Sequence, residues 1–279
     1  MTQPDVRHEQ IIRPPSGLDV NLGELWAYRE LFWALAMRSI LGRYRQTVIG
    51  ILWAVVRPVV TMVTLTVVFH RVGGMASQGP PYLLLALAGV VPWLLFWQCV
   101  TGSTTSLVTS SEMIKKVYFP RLIIPAAACI TALVDFVVSL GVFAVMMILL
   151  GFAPTWRLAL LPAAGLLALA AALGPGLWLS ALNARYRDVM HLVPFLMTVG
   201  MFISPVGYAS SQVGESWRLV YSLNPMVCVI DSFRWVLLSG AAGGVGVAGF
   251  GLSISVAAAL LVSGLAVFRY MERTFADVI

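Results

Sequence analysis

The chain has 279 residues, 59% hydrophobic and 11% charged, with a mean hydropathy of +0.89 and a formal net charge of +6. An ordinary soluble domain carries about 25% charged residues, so this composition excludes a soluble enzyme or a nucleic-acid-binding module and points to an integral membrane protein. Cys99, Cys129 and Cys228 are dispersed in apolar sequence and fit small buried hydrophobes rather than a disulfide framework or metal cluster. No metal site is expected.

The N-terminal "MTQPDVRHEQIIRPPSGLDV" has no apolar run followed by small residues, so it reads as a polar tail and not a cleaved signal peptide. In "ELWAYRELFWALAMRSILGRYRQ", Leu25, Tyr28, Phe32 and Leu35 fall at helical spacing, with Arg38, Arg43 and Arg45 after them. This predicts an amphipathic helix on the inner membrane surface. Tail and helix together form a cytoplasmic segment, 1–47, ahead of a membrane domain, 48–279.

A crossing helix needs about 20 mostly apolar residues. Six stretches qualify, at about 48–70, 82–104, 122–150, 156–182, 190–208 and 247–268. A seventh, "SLNPMVCVIDSFRWVLLSG", carries Asp231 and Arg234 near its middle, where each charge costs about 3 kcal/mol on insertion. With six spans, thirteen of the 18 Lys and Arg fall on the side of the N-terminus, so both termini are expected in the cytoplasm. Residues 209–240 then form an apolar excursion from the outer side, broken around Pro205, Gly207, Gly214 and Asn224-Pro225. It is read as an external gate; a helix pair lying on the outer leaflet fits the same pattern.

Within the spans, "VVPWLLFWQC" clusters Trp93, Phe96 and Trp97 beside Pro92, flat faces that could pack against sugar rings and line a conduit. Helix packing is the alternative. Arg57 and Asp135 are the ionisable residues well inside spans, at depths that differ by under about 10 Å; they either pair between spans one and three or line a hydrated lumen. Between spans two and three, "SSEMIKKVYFP" supplies Ser110 or Ser111 as an N-cap, Glu112 in the first turn, Met113 within it, Lys115 and Lys116 in the last, and Pro120 as a stop. No GxxxxGK[ST], HExxH or GxSxG motif occurs, so no catalytic residue is expected.

Taken together, "VIGILWAVVRPVVTMVTLTVVF", "GVVPWLLFW", "SSEMIKKVYFPRLIIP", "NARYRDV", "ISPVGY", and "LNPM" with "FRW" resemble the membrane subunit of type-2 ABC exporters for lipid-linked polysaccharide: O-antigen, capsule and teichoic acid permeases. The likeness runs from about residue 25 to the C-terminus. It implies a homodimer in the bacterial cytoplasmic membrane with two copies of a separate ATPase, which would bind the ATP and Mg, exporting a polyprenyl-pyrophosphate-linked glycan. It further implies that approximately Thr105 to Lys116 is the ATPase-docking coupling helix. The surface helix would flank the lipid-headgroup portal, where Arg38, Arg43 and Arg45 are the candidate pyrophosphate partners. The segment holding Asn224, Pro225, Asp231 and Arg234 would close the outer mouth. Arg57 departs from the family pattern, in which an uncharged residue before Pro58 is expected. An exporter of a small hydrophobic drug or antibiotic shares the same fold and motor.

Overall fold

The computed structural model describes residues 22–45, 50–75, 79–239, 244 and 246–275. The polar tail and most of "AAGGVG" lie outside these. Among the described residues every regular element is helical: α1 (Leu22–Ala27), α2 (Arg29–Tyr44), α3 (Leu52–Leu65), α4 (Tyr82–Thr109), α5 (Ser111–Lys116), α6 (Ile123–Leu149), α7 (Leu161–Arg185), α8 (Val189–Ile203), α9 (Arg218–Tyr221), α10 (Pro225–Leu237) and α11 (Gly246–Glu272). A π-helical turn, Thr66–Val72, extends α3, and a 3₁₀ turn, Trp156–Leu160, leads into α7.

Five of these are long and apolar enough to cross a membrane: α3 with its π extension, α4, α6, α7 with its 3₁₀ turn, and α11. The stretch expected as the fifth of six spans, 190–208, appears as α8, a mostly apolar helix of 15 residues. At 1.5 Å per residue α8 covers about 22 Å, short of a hydrocarbon core of about 30 Å. It stops where Ser204 turns extended and Pro205 follows.

The bundle is built around α4, which is buried on nearly all sides and packs against α3, α6, α7, α8 and α10. Its hydroxyls bond back to its own backbone: Thr101 to Trp97 O (2.8 Å), Thr104 to Val100 O (2.7 Å), Ser106 to Ser103 O (2.7 Å) and Thr109 to Thr105 O (2.9 Å). The helix therefore continues to Thr109, and the helix expected over 105–116 divides. Residues 105–109 belong to α4, Ser110 breaks the run at φ −103° and ψ 13°, and the six residues of α5 follow.

α7 and α11 cross through glycine. A Cβ on Gly174 would lie 2.6 Å from the Leu260 carbonyl carbon, and one on Gly264 would collide with the Gly174 carbonyl oxygen. Small residues let two backbones meet this closely. Gly264→Val should therefore part the helices and cost about 1–3 kcal/mol or more. Gly251→Val, on the same helix with nothing within 4 Å, should leave the thermal unfolding midpoint of the detergent-solubilised chain near that of the parent.

Two apolar cores result. The larger surrounds α4; the smaller joins Leu107, Ile114, Phe119, Phe268 and Phe275, with Leu25, Leu31, Leu35 and Met113 packed on it. The N-terminal helices thus fasten to the same end of the bundle as α5. Their other side leaves Trp26, Trp33, Met37 and Leu41 exposed as an outward apolar stripe. The three cysteines are buried and free. Cys99 and Cys129, remote in sequence, meet between α4 and α6 beside Ser103.

Candidate functional site

Three groups of polar side chains interrupt this apolar bundle. The first surrounds α5. Ile114 is buried in the smaller core while Glu112, Lys115 and Lys116 face outward. Glu112 and Lys116 approach to 3.4 Å, an exposed pair that adds little stability. Ser110 sits at the N-cap position and Ser111 begins the helix, but no side chain caps it. The strand of chain after α5 is tied to the end of α11: the Arg121 backbone N–H donates to Glu272 Oε1 at 3.0 Å, and the Arg121 guanidinium donates to the Glu272 carbonyl. Glu272 also pairs with Arg269 at 2.9 Å, both nearly buried. α5 is thus clamped to α4 at one end and to α11 at the other.

The second group lies between α2, α4 and α6. Asp135, buried on α6, pairs with Arg43 at 3.2 Å and accepts a hydrogen bond from the Tyr44 hydroxyl. Burial first, then the hydrogen bond to Asp135, push the Tyr44 phenol up to about 12, so it stays a donor at cellular pH. The pairing considered for Asp135 was with Arg57; that is corrected. Arg57 is exposed on α3 and makes no ion pair among the described residues, because α2 brings a nearer guanidinium to the carboxylate. Arg38 on α2 and Arg45 just after it are exposed, so of these three candidates only Arg43 is drawn inward. Beside it a cavity of about 330 Å³ is lined by Ser39, Arg43, Gln98, Thr105, Thr109 and Ser110 together with Thr131 of α6.

The third group pins the broken segment after α8. Asn224 caps α10 by accepting from the Met226 N–H at 2.9 Å, and its Nδ2 donates to Ser204 Oγ at 2.8 Å; Pro225 is the first helical residue. α10 is buried among α4, α7 and α11. From it the fully buried Arg234 donates to the carbonyls of Tyr208 (2.7 Å), Val206 (3.0 Å) and Leu85 (3.4 Å). The Ser210 hydroxyl donates to Asp231 at 2.6 Å, and the Tyr82 hydroxyl to the Gly207 carbonyl. Non-helical backbone leaves carbonyls that cannot stay unpaired in an apolar interior. Here Arg234 and Tyr82 satisfy them.

Trp93 and Phe96 are not a lining. Trp93 and Phe96 are buried in the larger core and Trp97 is half-buried; the Trp93 ring lies where Gly200 of α8 leaves room, 3.0 Å from a Cβ built there. Packing accounts for Trp93 and Phe96, whose conduit reading is corrected. Sequence reasoning missed Tyr44, Glu272 and Asn183. Asn183 donates to Thr104 O at 2.9 Å and accepts from the Met190 N–H at 3.1 Å, joining α4, α7 and α8. Its signal was an amide in an apolar helix end, within "NARYRDV".

The family model for ABC-2 type transporters matches residues 30–238. Among curated proteins the chain is 33% identical to an O-antigen export system permease protein, RfbA, of Myxococcus xanthus, over 213 residues that make up 76% of this chain and 81% of that one. It is 25% identical over 263 residues to a protein of the same name from Klebsiella pneumoniae, covering 93% and 97% of the two chains.

Proposed function

Because this chain belongs to the ABC-2 type transporter family, we propose that it is the membrane-spanning subunit of an ATP-driven exporter of a polyprenyl-pyrophosphate-linked polysaccharide of the O-antigen type. The observation that carries the reading is the build of α5 within a matching family: a short helix with an outward charged face, fixed at both ends to spans. Such a helix is a lever that can pass motion from a cytoplasmic motor into the bundle. Two copies of this chain would form the conduit, and two copies of a separate ATPase, holding ATP and Mg, would dock on α5.

In this proposal the bundle makes six crossings of the bacterial cytoplasmic membrane with both termini inside. α8 followed by 204–209 is the fifth, and α10 is a re-entrant helix that closes the outer mouth. Arg38, Arg43 and Arg45 form a cationic approach for the pyrophosphate on the inner face, where guanidinium can bond phosphate in pairs. The relatives named as O-antigen export permeases support this substrate class over a small drug.

The test is biochemical. The chain should co-purify with the ATPase encoded beside it, and lipid-linked glycan should stimulate ATP hydrolysis by the complex. Failure to bind any ATPase would overturn the proposal. Replacing Glu112, Lys115 and Lys116 together by serine should leave the permease folded but cut glycan-stimulated hydrolysis and export at least tenfold, measured in proteoliposomes; an unchanged export rate would remove α5 from the coupling path.

A further inference from the structure

The polar cavity between α2, α4 and α6 has the marks of a built site and not of a packing defect. Its walls carry two hydrogen-bonding atoms that are buried without a partner: the Thr131 hydroxyl, on a residue 6% exposed, and Gln98 Oε1. A buried unpaired polar atom costs about 1–3 kcal/mol. Both lie in the wall of one cavity, so a single occupant could satisfy them. At its rim sits Arg43, one-third exposed and held on the protein's own carboxylate, Asp135. The volume of about 330 Å³ falls at the low end of small-molecule sites, about 300–1,000 Å³, which suits one headgroup and excludes a polymer.

From this geometry we infer that the cavity binds the phosphate and first sugar of the exported lipid, with Arg43 on the phosphate and Thr131 and Gln98 on sugar hydroxyls. The identity of the lipid rests on the function proposed above; the chemistry, an organic phosphate carrying hydroxyl or amide groups, rests on the cavity. Asp135 stands in for the phosphate when the site is empty: it keeps Arg43 oriented and competes with the ligand for it. Ser110, directly before α5, forms part of the same wall, so an occupant touches the base of the lever.

The test uses the full chain in phosphatidylcholine nanodiscs, titrated with a short isoprenyl pyrophosphoryl-N-acetylhexosamine and read by ligand-induced thermal stabilisation. Arg43→Gln strands a buried carboxylate and endangers the fold, so Thr131→Val is the deciding variant. It removes a buried hydroxyl with no protein partner, so the unliganded midpoint should stay at or rise above that of the parent, while binding weakens about tenfold, the loss of one hydrogen bond. Asp135→Asn, which retains an acceptor for Tyr44 and relieves the competition, should tighten binding. Equal affinity of parent and Thr131→Val would overturn the inference, as would the absence of saturable stabilisation in the parent. Phosphatidylglycerol titrated in parallel should bind at least tenfold more weakly; matched affinity with the same dependence on Thr131 would make this a membrane-phospholipid site and overturn the glycolipid assignment. A chain that assembles with its ATPase yet shows no Thr131 dependence would leave the permease function intact and remove the cavity alone.

Discussion

Arg234→Leu is expected to destabilise the folded chain by about 2 kcal/mol or more, because the non-helical carbonyls of Tyr208 and Val206 lose their donor and each such loss costs about 1–3 kcal/mol, while the Leu85 carbonyl keeps the bond of its own helix. Leucine restores apolar volume but no hydrogen bond to Tyr208, Val206 or Leu85. The segment from Ser204 to Tyr208 should loosen first, since it is the part without helical bonds of its own. Arg234→Lys should fall between the two, because one ammonium cannot span three carbonyls on two elements. Thermal unfolding in detergent measures the cost. The control is Lys116→Leu: Lys116 pairs at 3.4 Å with the exposed Glu112, and its loss should change the midpoint little.

The second large effect belongs to Glu272. Glu272→Ala leaves Arg269 buried and unpaired and removes one of the two ties on the chain after α5, and breaking such a pair costs about 3–5 kcal/mol. Replacing the pair together, Arg269→Leu with Glu272→Leu, should recover most of that stability, since apolar residues of similar size replace buried ion pairs well. It should restore transport only in part, because the Arg121 backbone N–H still lacks its acceptor and the chain after α5 is held to α11 by the Arg121 guanidinium on the main-chain carbonyl at position 272 alone. Midpoint and glycan-stimulated ATP hydrolysis measured on the same preparations would separate the roles. Recovery of both would show that Glu272 serves the fold alone.

Local chemistry was legible in the sequence, and choice of partner was not. Asn224-Pro225 is a capping signal carried by adjacent residues, and it caps α10. Asp231 and Arg234 argued against a simple crossing because charge is costly in lipid, and both are paired inside the bundle. Asp135 was recognised as a charge needing neutralisation, but depth along a span cannot choose between Arg57 and an arginine arriving on α2 from outside the spans. The tryptophans misled for a related reason. A helix apolar all round looks the same whether lipid or protein surrounds it, so nothing in "VVPWLLFW" told that α4 is the centre of the bundle. The divided helix at 105–116 turned on a single residue, Ser110, whose backbone leaves the helical region without a glycine or proline to mark it.

The hydroxyls of α4 bear on how the chain reaches the membrane. A growing polypeptide releases its spans in order, so α4 must reside in lipid before α6, α7 and α10 have been synthesised. A span destined for the interior therefore has to be acceptable to lipid while still alone. Thr101, Thr104, Ser106 and Thr109 meet that demand by bonding to carbonyls of their own helix, which hides their polarity without help from a neighbour. When α7 arrives, Asn183 takes up the Thr104 carbonyl and the early span becomes the axle of the finished bundle. Thr104→Asn would place an amide there that its own helix cannot fully satisfy, and the penalty would fall during synthesis, before any partner helix exists to relieve it.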